Sequence, residues 1–351
     1  MMKVMYTLLI LVPIVLVLDI ANIGSHSVIF TTSALAMIPL AAILGQATEQ
    51  VAFYTGEKIG GLLNATLGNA AELIITIIAL REGLTEVVKA SIAGSILGNI
   101  LFVLGASLLI GGLKNGEQTF DDKTAGVNAS MLSLAVAVLI IPAVLALAPP
   151  ESRPSHHDIQ HLSDGMAVIM ILLYALYLLY SLRSQPTTGM TPHVEAAPSM
   201  KLPTALGILA ATTIAIVVMS EILVGALEPT AASWGLSEFF IGIMLVPLIG
   251  NIAEHLVAVQ MAIQNKMDLS LGIAVGSGLQ IATFVTPVLV LAGWAMGTPM
   301  TLVFNRYELM GLIAAVLIAV LISVDGRSNW LEGAELLALY AIVALAFYYV
   351  P

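Results

Sequence analysis

Apolar residues run in stretches of about twenty along most of the chain, and short polar segments separate the stretches. One helix needs about 20 apolar residues to cross a membrane. The runs contain internal Gly and Pro and lack the alternation of barrel strands, so they predict helices. We predict eleven transmembrane helices, which begin near Val4, Val28, Leu62, Glu86, Val127, Asp164, Pro203, Leu236, Leu269, Thr301 and Gly333.

The longest polar interruption, residues 183–202, is rich in Pro, Ser and Thr and is predicted to be a linker. It separates a first unit, residues 26–182, from a second unit, residues 203–351. The apolar segment from about Val4 to Ile20 resembles a signal peptide but lacks an obvious cleavage site, so we assign residues 1–25 to an additional N-terminal transmembrane helix. Because each unit holds five helices, an odd number, the units must be inverted. The predicted fold is an all-α integral membrane protein with two inverted five-helix repeats.

A short acidic motif occurs once in each unit. Residues 68–72 read Gly-Asn-Ala-Ala-Glu, and residues 250–255 read Gly-Asn-Ile-Ala-Glu-His. The same offset of 182 residues (250 − 68) relates the Gly-Ser pair at 94–95 to the pair at 276–277. A carboxylate at bilayer depth costs about 2.5–3.5 kcal/mol. Its repetition within one local sequence indicates an internal duplication that carries a function.

Composition supports this class of protein. Hydrophobic residues make up 59% of the chain and charged residues 10%, and the mean hydropathy is +1.01. Soluble proteins contain about 45–50% apolar and about 25% charged residues. We infer nothing about partners from the net charge of −10, because many acidic residues fall within apolar runs or short loops. The absence of Cys excludes disulfides and thiol chemistry.

The distribution of basic residues favours a cytoplasmic N-terminus and an external C-terminus in the plasma membrane. In this orientation eight basic residues face the cytoplasm, namely Lys3, Lys58, Lys114, Lys123, Arg183, Lys201, Lys266 and Arg327. Four face outward, namely Arg81, Lys89, Arg153 and Arg306.

The repeated motif has the chemistry of a hard-cation site. In each copy, Asn and Glu lie at positions i and i+3 and so share a helix face. Two antiparallel copies that meet near the midplane gather the Glu72 and Glu254 carboxylates, the Asn69 and Asn251 amides, and backbone carbonyls. Oxygen ligands of this kind suit Ca²⁺. Two carboxylates are neutralised by one Ca²⁺ or by two protons, whereas the empty ionised site is costly. This is the physical basis of an antiporter, with Glu72 and Glu254 as alternating carriers.

Further polar residues lie in the following helices. Ser95, Asn99, Ser277 and Gln280 are candidates for supporting coordination, although such residues also serve ordinary helix packing. Asn69 and Asn251 are likewise consistent with interhelical hydrogen bonding alone. Glu49, Glu221 and His255 are candidates for proton coupling, and each is also consistent with a structural role.

Three other polar groups receive a structural interpretation. The cluster of His156, His157, Asp158 and His161 has the composition of a metal site but is assigned to a solvated, Pro-rich loop. Asp325 and Glu332 near the last loop are assigned to helix capping or to the membrane interface.

Both copies of the motif resemble the signatures of the Ca²⁺/H⁺ antiporters in the cation/Ca²⁺ exchanger superfamily, and the chain resembles the short bacterial members. The segments 265–270, 276–281 and 325–333 continue the resemblance. It implies Glu72 and Glu254 as Ca²⁺ ligands and proton carriers, with supporting contacts from Asn99 and Gln280. Na⁺/Ca²⁺ exchangers carry Pro before the glutamate, whereas this chain has Ala71 and Ala253. That difference favours coupling to protons. Family members often carry an acidic stretch between the halves, and here residues 183–201 contain only Glu195.

We therefore expect a Ca²⁺/H⁺ antiporter that exports Ca²⁺ from the cytoplasm by alternating access, rather than an enzyme. No nucleotide-binding loop or His-Glu-x-x-His motif occurs in the sequence. A Na⁺-coupled or broad-specificity cation exchanger is the alternative, and a cation channel belongs to a different class. The expected ligands are Ca²⁺ and protons within a lipid bilayer, with no cofactor and no nucleic acid. Small-residue helix faces permit a homo-oligomer.

Overall fold

The computed structural model describes residues 7–183 and 198–350, and it is almost entirely helical. The predicted linker at 183–202 falls largely outside the described residues, as does Glu195. The helices are α1 (Leu11–Ile20), α2 (His26–Leu67), α3 (Ala70–Arg81), α4 (Thr85–Leu97), α5 (Leu104–Asn115), α6 (Asp122–Ala146), α7 (His156–Arg183), α8 (Leu202–Gly225), α9 (Leu227–Trp234), α10 (Glu238–Phe240), α11 (Val246–Ile263), α12 (Met267–Gln280), α13 (Thr286–Met296), α14 (Arg306–Ile322) and α15 (Trp330–Tyr348).

Three π-helical turns connect consecutive helices without a loop. They span Gly98–Val103, Ile241–Leu245 and Ile281–Val285, and they join α4 to α5, α10 to α11, and α12 to α13. The first and third turns end at positions 103 and 285, which the 182-residue offset relates (285 − 103 = 182). The helices α4 and α12 begin at positions 85 and 267, again 182 apart. The duplicated sequence segments therefore have the same local backbone structure.

Eight helical spans of the described chain are long and apolar enough to cross a membrane. They are His26–Gly56, Thr85–Asn115, Asp122–Ala146, His156–Ser181, Leu202–Gly225, Glu238–Ile263, Met267–Met296 and Trp330–Tyr348. The helices α1, α3 and α14 are shorter, at 10, 12 and 17 residues. A mostly helical membrane protein is confirmed, and the count of eleven spans stays a prediction.

Gly56 bends the long helix α2. Its φ of 79° and ψ of 166° are not helical, and glycine adopts a positive φ without the steric cost of a Cβ atom. The segment after the bend approaches α3, from which it is separated only by Gly68 and Asn69. The motif Asn69 thus lies at a break between two helical segments rather than inside one helix.

The two duplicated spans form the centre of the bundle. In the most apolar part of Thr85–Asn115, 72% of the residues are buried, and in Met267–Met296 the share is 78%. The corresponding shares in the other six spans are between 17% and 50%. Gly94 permits the close contact of α4 with the second π turn, because a Cβ atom there would overlap the Ile243 carbonyl oxygen. The helices that carry the two repeated serines are therefore the most enclosed ones.

A short antiparallel ribbon links the two units at one end of the bundle. Strand β1 (Gln118–Thr119) pairs with strand β2 (Arg327–Ser328), with Gln118 opposite Ser328. The Gln118 Nε2 atom donates a 3.0 Å hydrogen bond to the Ala262 carbonyl oxygen. This contact binds the C-terminal end of α11, which carries the second acidic motif, to the ribbon.

The histidine cluster requires a correction. We predicted a solvated loop, but His156, His157, Asp158 and His161 lie in the first turns of α7. The prediction was wrong because Ser155 and Asp158 hydrogen-bond to each other at the N-terminus of α7 and start the helix directly after Pro154. All four side chains are exposed, and the rings of His157 and His161 contact each other.

The capping role of Glu332 is confirmed. Asn329 and Glu332 form a capping box at the N-terminus of α15, in which each side chain accepts a backbone hydrogen bond from the other residue. Asp325 accepts a 3.1 Å hydrogen bond from the Arg327 backbone in the preceding turn. Asn305 and Glu308 form a second capping box at α14.

Candidate ion-binding site

The first motif places its glutamate at the start of a helix. Glu72 lies in the first turn of α3, directly after the break at Gly68 and Asn69. The N-terminal end of a helix carries a partial positive charge and favours a nearby carboxylate. Glu72 is 1% exposed and is therefore enclosed by protein.

Hydrogen bonds from both units hold the Glu72 carboxylate. The Ser95 hydroxyl on α4 donates to Glu72 Oε1. Asn251 Nδ2 on α11 donates to Glu72 Oε2 at 3.2 Å and to Ser95 Oγ at 3.3 Å. A carboxylate of the first motif is thus bound by the amide of the second motif.

Glu254 of the second motif is bonded to a serine in the same way as Glu72. The Ser277 hydroxyl on α12 lies 2.6 Å from Glu254 Oε2 and 3.1 Å from Asn69 Oδ1. Since the hydroxyl has one hydrogen, it donates to one of these oxygens at a time. Asn69 Nδ2 donates at 2.7 Å to Gln280 Oε1. The 182-residue offset therefore relates the Ser95–Glu72 pair to the Ser277–Glu254 pair, and each asparagine bonds to the serine of the other unit.

The motif glycines allow the two motifs to approach each other. A Cβ atom at Gly68 would lie 2.9 Å from Glu254 Oε1, and one at Gly250 would lie 3.4 Å from Glu72 Cβ. Each glycine thus faces the glutamate of the opposite motif. A larger residue at either position would push the two motifs apart. The effect should be greater at Gly68, where the contact is closer.

The two halves differ in backbone and in exposure. The first motif lies at the break between α2 and α3, whereas the second lies inside the continuous helix α11. Glu254 is partly exposed, whereas Glu72 is 1% exposed. One turn farther along each helix, Val257 is 41% exposed and Ile75, at the equivalent position, is 1% exposed. Protein therefore encloses Glu72 more completely than Glu254.

Not every predicted site residue joins this network. Asn99 is buried in the first π turn, and its Nδ2 atom has no hydrogen-bond partner. His255 is also buried, its Nδ1 atom lacks a partner, and its ring packs against Phe102 at 6.2 Å. Glu49 is exposed on α2. Glu221 is exposed on α8 and forms a 3.3 Å ion pair with Arg81 at the end of α3.

Sequence inspection missed one buried carboxylate. Glu308 on α14 is 1% exposed, and its Oε1 atom has no hydrogen-bond partner. Its Oε2 atom accepts a 2.6 Å hydrogen bond from the Asn305 backbone. The available signal was the capping-box spacing from Asn305 to Glu308, which precedes an apolar run.

The donor atoms of the network are carboxylate, amide and hydroxyl oxygens. In the part of the chain that the structure describes, no group of three or more His, Cys, Asp and Glu residues has the arrangement of a metal site. A cation bound here would therefore have two carboxylates together with neutral oxygens. Such a donor set suits a hard cation and provides two groups that also accept protons.

A comparison with known protein families shows to which family the chain belongs. The family model described as sodium/calcium exchanger protein matches residues 25–183 and 204–349. The chain belongs to this family. The two matched segments lie on either side of the predicted linker, and each contains one copy of the acidic motif.

Individual members of the exchanger family resemble the chain over nearly its full length. A protein of Aphanothece halophytica named Ca(2+)/H(+) antiporter is 47% identical over 339 residues, which cover 92% of this chain and 90% of that protein. The solved structure of native YfkE is 40% identical, with a TM-score of 0.86, and covers 99% of this chain and 100% of its own. The structure of an H⁺/Ca²⁺ exchanger named CAX is 16% identical with a TM-score of 0.74, covers 98% of this chain and 91% of its own, and shows the fold alone.

Proposed function

We propose that this exchanger-family protein is a Ca²⁺/H⁺ antiporter that exports Ca²⁺ by alternating access at the paired acidic motifs. The observation that carries the proposal is the pair of carboxylates, Glu72 and Glu254. Each is bonded to a serine of its own unit and faces the glycine of the opposite motif. The name of the Aphanothece relative, Ca(2+)/H(+) antiporter, supports the same activity at 47% identity over most of both chains.

Ca²⁺ fits the donor atoms that the two motifs bring together. It takes six to eight oxygen ligands at about 2.3–2.6 Å, in flexible geometry. Glu72, Glu254, Asn69 and Asn251 provide the ligands nearest the centre of the network, and Ser95, Ser277 and Gln280 orient them. Asn99 is a candidate supporting residue, and its Nδ2 atom forms no hydrogen bond.

Proton coupling follows from charge balance in the enclosed site. Two ionised carboxylates in a low-dielectric environment repel each other and lose their hydration. One Ca²⁺ or two protons remove that cost. A site loaded with either ion therefore switches between the two membrane faces more readily than an empty site. The carriers are Glu72 and Glu254. Glu49, Glu221 and His255 remain candidates for later proton transfer, and none of them forms a hydrogen bond with the network among the described contacts.

The membrane arrangement that we propose has eleven helices, with one N-terminal helix before two inverted five-helix repeats. The equal spacing of the motifs, the π turns and the starts of α4 and α12 supports the duplication. The basic residues of the loops support a cytoplasmic N-terminus and an external C-terminus in the plasma membrane. Under that orientation the loop at Lys266, and with it the C-terminal end of α11, faces the cytoplasm.

The function is tested with purified protein in sealed liposomes and ⁴⁵Ca²⁺ outside. An inside-acid pH gradient, with the membrane potential clamped, should drive Ca²⁺ uptake, and an outward Na⁺ gradient at constant pH should not. Uptake that requires the Na⁺ gradient would instead support the sodium-coupled alternative. Flux that continues at channel rates without either gradient would refute antiport.

Four variants test the site assignment. Glu72→Gln and Glu254→Gln should each abolish pH-driven uptake, because glutamine can neither neutralise Ca²⁺ nor carry a proton, while the protein remains folded. Glu228→Gln changes an exposed glutamate on α9 and serves as the matched control. Glu221→Gln decides whether the exposed partner of Arg81 takes part in coupling. Wild-type uptake in either motif variant would contradict the assignment.

A further inference from the structure

The first two turns of α7 lie outside the ion-binding network and carry three histidines. Residues 154–164 read Pro-Ser-His-His-Asp-Ile-Gln-His-Leu-Ser-Asp, whereas residues 165–180 contain no charged residue. Charged side chains are costly in the hydrocarbon core, so the polar turns belong to the membrane surface and the apolar part of α7 to the bilayer. The histidine side chains are exposed there and can be reached by ions in water.

Two of these histidines lie side by side. His157 and His161 are separated by one helical turn and therefore share a face of α7. Their Nε2 atoms lie 2.9 Å apart, and their ring centres lie 4.1 Å apart at an interplanar angle of 76°. With the ring centres this close, the two nitrogens do not point straight at each other, as they would in a linear hydrogen bond.

The distance between the two nitrogens is that of two ligands on one metal ion. Imidazole binds Zn²⁺ at about 2.0–2.1 Å. Two bonds of this length place their nitrogens about 2.9 Å apart at the right angle of tetragonal Cu²⁺ or Ni²⁺, and about 3.3 Å apart at the tetrahedral angle of Zn²⁺. The 2.9 Å between His157 and His161 fits the first geometry directly and the second after an opening of about 0.4 Å.

Contacts away from the pair hold the backbone that carries it. Ser163 is fully buried, and its Oγ atom accepts a 3.0 Å hydrogen bond from the Leu302 backbone. Gln160 Nε2 donates a 3.3 Å hydrogen bond to the Met300 carbonyl oxygen. These bonds attach the start of α7 to the segment before α14, so a bound metal ion has little more to order than two histidine side chains. A solvated loop, as the sequence suggested, would not provide this arrangement.

The local charge also favours a cation. Asp158 and Asp164 lie close to the pair in sequence, and residues 154–182 contain neither Lys nor Arg. Both carboxylates accept hydrogen bonds from neutral side chains, Asp158 from Ser155 and Asp164 from Gln160. Imidazole nitrogen suits late transition metals, whereas Ca²⁺ prefers oxygen ligands. The histidine pair therefore differs in its choice of metal from the glutamate network.

We propose that His157 and His161 form a surface site for a divalent transition-metal ion of the class that binds imidazole, namely Cu²⁺, Ni²⁺ or Zn²⁺. Water completes the coordination. The site goes beyond the antiport function and does not rest on it, because its ligands lie outside the Glu72 and Glu254 network.

The test is a calorimetric titration of Zn²⁺ into the full-length protein, purified with a tag that lacks histidine. Millimolar Ca²⁺ is present so that the oxygen ligands of the glutamate network are occupied. His157→Ala and His161→Ala should each weaken Zn²⁺ binding at least about tenfold, since loss of a direct ligand costs no less than loss of an outer partner. His156→Ala is the matched control, because it removes an exposed imidazole of the same turn that is not part of the pair.

Two further measurements separate metal binding from a structural role of the pair. His161→Gln keeps a side chain that donates and accepts hydrogen bonds, yet it should lose affinity as His161→Ala does, because these metals prefer imidazole to an amide. With one equivalent of Cu²⁺, pulsed electron paramagnetic resonance should detect two coordinated imidazole nitrogens in the unsubstituted protein and in His156→Ala, and fewer in His161→Ala. Zn²⁺ should also raise the melting temperature of the unsubstituted protein more than that of His161→Ala.

Two results would overturn the proposal. One is Zn²⁺ binding by the unsubstituted protein that is no tighter than binding by His161→Ala, which would leave the contact between the rings as a hydrogen bond only. The other is an equal loss of affinity in His156→Ala, which would indicate unspecific binding to exposed imidazoles. Failure of the proposed function has a separate signature, because pH-driven ⁴⁵Ca²⁺ uptake is then absent whatever the Zn²⁺ titration shows.

Discussion

Substitution of Gly68 by alanine tests whether close approach of the motifs sets the geometry of the ion site. A Cβ atom at Gly68 would lie 2.9 Å from Glu254 Oε1 and 2.8 Å from the Asn64 carbonyl oxygen. Ordinary van der Waals contact begins at 3.4 Å, so the carboxylate must move by about 0.5 Å. The Glu254 carboxylate is the end of a long side chain and moves easily, whereas the Asn64 carbonyl is backbone, so the variant should also lose some thermal stability.

The displacement acts on the bond between Glu254 and Ser277. That hydrogen bond is 2.6 Å long, and a carboxylate pushed from its position loses it or lengthens it. Hydrogen bonds to charged groups contribute about 1.5–3 kcal/mol. Loss of one such bond corresponds to a change of about 10- to 100-fold in apparent Ca²⁺ affinity.

The assay is the Ca²⁺ concentration dependence of pH-driven ⁴⁵Ca²⁺ uptake in liposomes, with thermal unfolding as a check on folding. Gly276→Ala is the matched control, because it lies next to Ser277 and a Cβ atom there meets nothing within 4 Å. We expect Gly68→Ala to require more Ca²⁺ for half-maximal uptake and Gly276→Ala to resemble the unsubstituted protein. Wild-type concentration dependence in Gly68→Ala, or an equal defect in both variants, would refute the reasoning.

Two further predictions concern stability. Gly94→Ala places a methyl group onto a backbone carbonyl of the neighbouring π turn, so we expect the free energy of unfolding to fall by about 2 kcal/mol or more, measured by thermal unfolding. At Gly98 a Cβ atom meets nothing within 4 Å, so Gly98→Ala should leave the free energy of unfolding nearly unchanged. Hydrogen bonds from Thr124 hold the pKa of the Asp121 carboxyl, which caps α6, below its usual range. Asp121 therefore stabilises the folded protein above the unfolded-state value of about 3.9, and this contribution is lost as pH falls through the lower folded-state pKa. Asp121→Asn should lower the melting temperature at pH 7 but not below the folded-state pKa, and an equal deficit at both pH values would contradict the capping argument.

The hydrophobic pattern was sufficient to predict most helices, because a membrane-spanning segment must satisfy its own backbone hydrogen bonds. The starts predicted near Glu86, Pro203, Leu269 and Gly333 lie within three residues of α4, α8, α12 and α15. Helix ends were less predictable. The start predicted near Leu62 falls inside α2, because the break is made by Gly68 and Asn69 near the site and not by a polar loop.

The repeated motif, read as sequence, determined the class of chemistry and the residues that carry it. Two glutamates and two asparagines at one offset indicated a symmetric oxygen site, since residue type and spacing are properties of the chain itself. Only the tertiary structure decided that Asn69 bonds to Gln280, 211 residues away, and that the buried Asn99 Nδ2 atom has no hydrogen-bond partner. Likewise only the tertiary structure decided that Glu72 is enclosed by protein while Glu254 is partly exposed. These features depend on how the two units pack against each other. The two copies of the motif have nearly the same local sequence, so the sequence alone does not predict which copy is the more enclosed.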